Sequence, residues 1–131
     1  MNKHHFFAIV VAMVILTGCA SRTEPVHNVE HTISTNAYYS PEQVQAAIVQ
    51  AGLGRKWAMF PDRPGVINGR LTLRDHSADI RIDYTATSYS INYVSSQNLK
   101  AGGGQIHRNY NHWINNLDRD IQLRLSAKTL N

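Results

Sequence analysis

Cysteine is nearly absent from this 131-residue chain: Cys19 is the only one. A single thiol excludes an internal disulfide and a cysteine-based metal site. Charge of one sign is also sparse. The formal net charge is +4, with Lys3 near the start and the other cations spread along the chain. No five-residue window forms a basic tract, so the chain lacks a nucleic-acid footprint. A weak attraction to anionic lipid headgroups or acidic envelope polymers is all that such a balance supports. Long hydrophobic runs are missing too. The longest is FFAIVVAMVILT, residues 6–17, short of the roughly 20 apolar residues that a membrane-crossing helix needs.

What is present starts with that run. MNKHH, carrying Lys3, precedes it, and a polar segment containing Pro25 follows. This order is that of a secretory leader. Leu16-Thr17-Gly18-Cys19 resembles the lipobox of bacterial lipoprotein precursors. The resemblance implies diacylglyceryl transfer to the Cys19 sulfur, cleavage before Cys19 and acylation of the new amino terminus. Ala20 and Ser21 stand where the family's inner-membrane sorting pattern carries an aspartate. The resemblance therefore implies a lipid-anchored, periplasm-facing protein of the outer membrane, with the inner membrane and the cell surface ranked below. One acyl chain anchors only marginally, at about 0.8 kcal/mol per buried methylene, whereas two or three on one cysteine hold firmly.

Three segments follow from this reading: a leader over 1–18, lipidated Cys19 with a flexible tether over 19–39, and a globular domain over 40–131. The tether is polar and lacks periodicity, although Val29, Thr32 and Ile33 could form a short edge strand. As a coil it spans roughly 25 Å, and about 65 Å when fully drawn out.

The domain reads as α+β, an antiparallel meander of three to four strands with two helices packed on one face. Ser40-Pro41-Glu42-Gln43 carries the signals of a capped helix start, and Gly52 is its expected stop. RKWAMF (55–60) reads as a strand and PDRPG (61–65) as a turn. Alternation over 66–74, 79–84 and 89–94 predicts Leu73 opposite Ile80, Leu71 opposite Ile82 and Gly69 opposite Tyr84. On the other face it predicts the pairs Arg74–Asp79, Thr72–Arg81 and Arg70–Asp83. The next hairpin places Ile82 opposite Ile91, Ile80 opposite Tyr93 and Tyr84 opposite Tyr89. Ser95–Gly104 is a loop. Ile106, Tyr110, Trp113, Ile114, Leu117 and Ile121 then recur at helical steps over about 105–127. The domain is also similar to small Gram-negative lipoproteins of uncharacterised function through Trp57, PGVINGRLTLRDHSADIRIDY, YSINY and IHRNYNHWINNL. That similarity transfers no functional residues.

Catalytic and metal-binding patterns are not legible. His107 and His112 are five apart, about 140° around a helix, whereas a zinc pair needs three or four. His27 and His31 are four apart but lie in the tether, and His76 lies in a turn. Ser77, Ser88, Ser90, Ser95 and Ser96 lack a nucleophile elbow. AGGGQ lacks the Lys-Ser/Thr of a phosphate loop. Asp118 and Asp120 diverge on their helix, beside Arg119 and Arg124. The expectation is thus no catalytic site, no metal and no cofactor.

The distinctive surface is the polar side of the last helix: His107, Arg108, Asn111, His112, Asn115 and Arg119. Amides and cations flanked by Tyr110 and Trp113 suit hydrogen bonding to a glycan, a peptide or a protein. The competing reading leaves Asn111, Asn115 and Asn116 facing water, with Tyr110 and Trp113 in the core. A non-enzymatic module binding an envelope protein or peptidoglycan ranks first. A small-ligand binder or envelope-stress sensor ranks second, using Arg70, Arg74, Asp79, Arg81 and Asp83 or the loop at 95–104. A hydrolase of envelope polymers ranks third. Oligomeric state is left open.

Overall fold

The computed structural model describes residues 22–33 and 38–127. The leader and Cys19 lie outside the described residues. The elements run β1 (Thr23–Pro25), β2 (Val29–Thr32), α1 (Pro41–Gly54), β3 (Ala58–Arg63), β4 (Val66–Leu73), β5 (His76–Tyr84), β6 (Ser88–Gln97), β7 (Gln105–His107) and α2 (Arg108–Ala127). An antiparallel five-stranded sheet has the order β2-β6-β5-β4-β3, and β1 pairs with β7 in a second, two-stranded sheet. The fold is α+β, with a β3–β6 meander. Among the described residues no helix is long and apolar enough to cross a membrane.

Local chemistry starts α1. Ser40 Oγ accepts the Gln43 N–H at 3.2 Å, and Gln43 Oε1 accepts the Ser40 N–H at 2.9 Å, a closed capping box. Val44, Ile48 and Ala51 are buried along one face. The helix does not stop at Gly52 but runs on to Gly54. Gly52 is needed for closeness instead, because the Met59 thioether fills the space a Cβ would take. The chain then leaves through Lys56, at φ 67°, so Arg55 and Lys56 are not strand residues. The strand begins at Ala58 and passes through Pro61 to Arg63. That proline is tolerated because β3 is an edge strand, where an N–H need not donate.

The first long hairpin differs from the expected register by four residues. Leu73 pairs with His76, Leu71 with Ala78, Gly69 with Ile80 and Ile67 with Ile82. The cause is a two-residue turn at Arg74-Asp75, with Arg74 in the left-handed region at φ 58°. An even slip keeps every side chain on its face, so the apolar and polar faces stand as read. The cross-strand ion pair becomes Arg70–Asp79, with Nε to Oδ1 at 2.7 Å. Thr72 faces Ser77, while Arg81 reaches Asp83 at 3.2 Å on its own strand. Gly69 has room for no side chain, since a Cβ there would lie 2.9 Å from Ile80 Cγ1. In the following hairpin Ile82–Ile91, Ile80–Tyr93 and Tyr84–Tyr89 pair as expected.

The carboxyl-terminal helix begins at Arg108, three residues later than its apolar stripe suggests. Gln105–His107 form β7 against β1. Gly102 and Gln105 exchange backbone hydrogen bonds around Gly103 and Gly104, at φ 57° and 76°, so the glycine run is a tight turn. Within α2, Tyr110, Ile114, Leu117 and Ile121 are fully buried and share one core with α1 and the sheet's apolar face.

The largest departure concerns the tether. Residues 22–33 are not a free leash: β1 extends β7, β2 pairs with β6 from Val29 opposite Ile91 to Thr32 opposite Ser88, and Val29 and Ile33 are buried.

Candidate functional site

The six side chains expected to form one surface divide into three groups. Arg108, His112, Asn115 and Arg119 are all exposed. Their spacing of four, three and four residues keeps them on one outward stripe of α2. Arg119 donates to Asn116 Oδ1 at 2.8 Å. His107 is not on the helix. It sits half-buried in β7, where its Nδ1 accepts the Asn109 N–H at 3.1 Å and caps the first turn of α2. Burial, with the charges of Lys100, Arg108, Arg22 and His76, holds the His107 imidazole below the ordinary histidine value.

Asn111 is excluded from the surface by burial, at 7 % exposure. Its Oδ1 accepts the His27 N–H at 3.0 Å, and its Nδ2 donates to Pro25 O at 2.9 Å and to Glu24 Oε2 at 3.1 Å. One amide thus clamps the segment between β1 and β2. Tyr110 is core, in edge contact with Tyr93 at 5.4 Å. Trp113 is half-buried.

Sequence reading missed a second clamp. Asp118 Oδ1 accepts the Tyr89 O–H at 2.6 Å, and its Oδ2 lies 2.9 Å from His31 Nε2 and accepts from Gln122 Nε2 at 3.0 Å. His31 on β2 and Tyr89 on β6 are thus both joined to α2 at Asp118. Burial first, then Asp118, pushes the Tyr89 phenol well above the ordinary tyrosine value. The available signal was the alternation of Val29, His31 and Ile33, which sets His31 on the apolar side of β2. Asp120 points elsewhere, to Arg55 Nε at 2.6 Å, so the two aspartates diverge but are tied to other elements.

Other expected features are dispersed. Arg70 and Ser95 both reach Asp79, while Asn92 bonds Asp83. Arg74 is in the hairpin turn and does not join that face. His76 uses both ring nitrogens, Nδ1 to Asn98 O at 2.7 Å and Nε2 to Asp75 at 3.4 Å. Among the described residues no group of three His, Cys, Asp or Glu side chains converges as a metal site. A cleft of about 210 Å³ opens between the end of α1, β4 and α2, lined in part by Lys56, Trp57, Leu73, Trp113 and Asn116. Comparison with protein-family models, curated proteins and solved structures finds no match.

Proposed function

We propose that this chain is a lipid-anchored cell-envelope lipoprotein, held through Cys19 at the periplasmic side of the outer membrane. It acts as a non-enzymatic module that presents the outward stripe of α2 to an envelope protein or to peptidoglycan. The observation that supports binding is the stripe itself. Arg108, His112, Asn115 and Arg119 are exposed on one rigid face, and among the described residues neither arginine lies within ion-pair distance of a carboxylate. A face meant only for solvation more often intersperses Glu and Lys. The support for the address is the leader and the LTGC motif.

A small-ligand reading draws on the Trp57–Trp113 cleft. At about 210 Å³ it is below the roughly 300–1,000 Å³ of most ligand pockets, so the extended stripe ranks first.

The test is a photo-crosslinking residue at Asn115, compared with one at Arg63 on the β3–β4 turn. The expected result is a discrete adduct from position 115 in intact cells, absent from position 63 and lost when Arg119→Glu is added. No adduct from position 115, or the same adducts from both positions, would remove the stripe from consideration.

A further inference from the structure

Cations scattered along the sequence are gathered by the fold at one end of the domain. The Arg108 N–H donates to Arg22 O at 2.8 Å, and the His107 N–H donates to Leu99 O at 2.7 Å, next to Lys100. His76 Nδ1 bonds Asn98 O, and Asn98 Nδ2 bonds Asp75 O at 2.6 Å, which ties in the Arg74–Asp75 turn. Arg22, Arg74, Lys100 and Arg108 are all exposed. Among the described residues none of them lies within ion-pair distance of a carboxylate. The acids nearest this end are Asp75, beside His76, and Glu24 on β1, which Asn111 bonds. The first turn of α2 also carries no acidic residue, although the positive end of a helix favours one.

At the opposite end the arginines are paired with carboxylates. Because β4 runs from Val66 to Leu73, the Gly65 and Thr85–Ser88 turns lie at the far end of the sheet from Arg74. Glu30 and Asp83 line a depression there, with Asp83 paired with Arg81 and Asp62 with Arg63. Cations without an ion pair among the described residues therefore gather at the Arg74 end of the sheet.

The chain leaves for Cys19 from the positive end. Two residues, Ala20 and Ser21, separate Arg22 from Cys19, and three Cα–Cα steps give a covalent reach of at most about 11 Å. That is close to the Debye length of about 8 Å at physiological salt. Acyl chains on Cys19 would thus hold these cations within electrostatic range of the headgroups.

We infer that the pole formed by Arg22, Arg74, Lys100 and Arg108 is a docking surface for anionic phospholipid headgroups, which seats the domain upright on its own bilayer. This rests on the lipid-anchor reading. Docking engages Arg108 and leaves the rest of the α2 stripe, His112, Asn115 and Arg119, open to a partner in the periplasmic space.

The test uses the full chain, extracted with its natural anchor and reconstituted into vesicles of phosphatidylcholine alone or with one quarter phosphatidylglycerol. Amide hydrogen exchange is then read over 98–108. Each Lys or Arg near an anionic surface is worth about a fivefold bias. Exchange over 98–108 is therefore expected to slow roughly fivefold or more on the phosphatidylglycerol vesicles. The slowing should vanish near 0.5 M salt and be lost in Arg22→Glu/Lys100→Glu, and separately in Arg74→Glu, with melting temperatures retained. Equal exchange on both vesicle types would overturn the inference. So would protection reproduced by inorganic phosphate alone, or protection that survives both charge-reversed variants. Intact mass of the same preparation separates the two failures. A lipidated chain with charge-insensitive exchange sinks the docking surface alone, whereas an unmodified Cys19 sinks the anchor and the docking surface with it.

Discussion

Asn111→Asp should lower the unfolding free energy by about 3 kcal/mol at pH 7, a loss typical of an unpaired buried charge. The change is nearly isosteric, so the cost is not one of packing. Asn111 Oδ1 accepts from His27, and a carboxylate oxygen can do the same. Nδ2 is the problem: it donates to Pro25 O and Glu24 Oε2, and aspartate would set an anionic oxygen against both acceptors. Burial and the Glu24 carboxylate raise the folded-state pKa of the introduced acid above the unfolded value of about 3.9. A raised folded pKa favours the fold below the unfolded value and loses that advantage as pH rises. The variant should therefore recover towards wild type near pH 3.5 and be weakest at neutrality. Urea unfolding at both pH values checks this. A variant within about 0.5 kcal/mol of wild type at pH 7 would show that Asn111 does not clamp residues 22–28.

Asp118→Ala should cost about 2–4 kcal/mol, because it strands the buried Tyr89 hydroxyl and removes the acceptor of His31 and Gln122 together. Tyr89→Phe removes the stranded donor. In the double variant the two losses should fall short of their sum by about 1 kcal/mol or more. Additive losses would mean that Asp118 and Tyr89 act separately. The pair also has an alkaline signature. The Tyr89 phenol is held above its ordinary value of 10.0 by burial and by Asp118, and burial raises Tyr110 likewise. Both groups favour the fold while protonated, so stability should fall as pH rises above about 10, where unfolded tyrosines ionise. Asp118→Ala should reduce that fall without abolishing it, because burial of both rings remains.

Both predictions bear on residues 22–33, where sequence and structure part company. Ser40 with Gln43 announces α1 because the capping box is a local interaction, and the alternation through 66–94 assigns the sheet faces because its period is two. The register of the β4–β5 hairpin was not legible for that same reason: any even slip preserves the faces, and only the left-handed turn at Arg74 selects among them. β1 and β2 are three and four residues long. β2 falls where Val29, Thr32 and Ile33 allowed a short edge strand, whereas β1 carries no such signal, and side chains that tie the two down are Asn111 and Asp118, more than 80 residues away. Asn111 reads as surface because an amide on a helix is ordinarily solvated. It lies between the buried Tyr110 face and the outward stripe, and only the chain folding back over it makes it buried. The basic pole was equally hidden, since Arg22, Arg74, Lys100 and Arg108 share no window of sequence.

Under the proposed anchoring at Cys19, ordering of residues 22–33 shortens the span between anchor and domain from a coil of roughly 25 Å to the two residues between Cys19 and Arg22. Orientation relative to the bilayer then becomes a property of the fold rather than of a loose leash. It also gives α2 two roles on two faces, gripping the amino-terminal segment on one and facing outward on the other.

Intact mass of the full chain extracted from bacterial membranes tests the account most directly. The account predicts a chain beginning at Cys19, with residues 1–18 removed and the mass of a diacylglyceryl group on sulfur plus an amino-terminal acyl group added. A chain that keeps its leader, or one trimmed to a bare thiol, would contradict it.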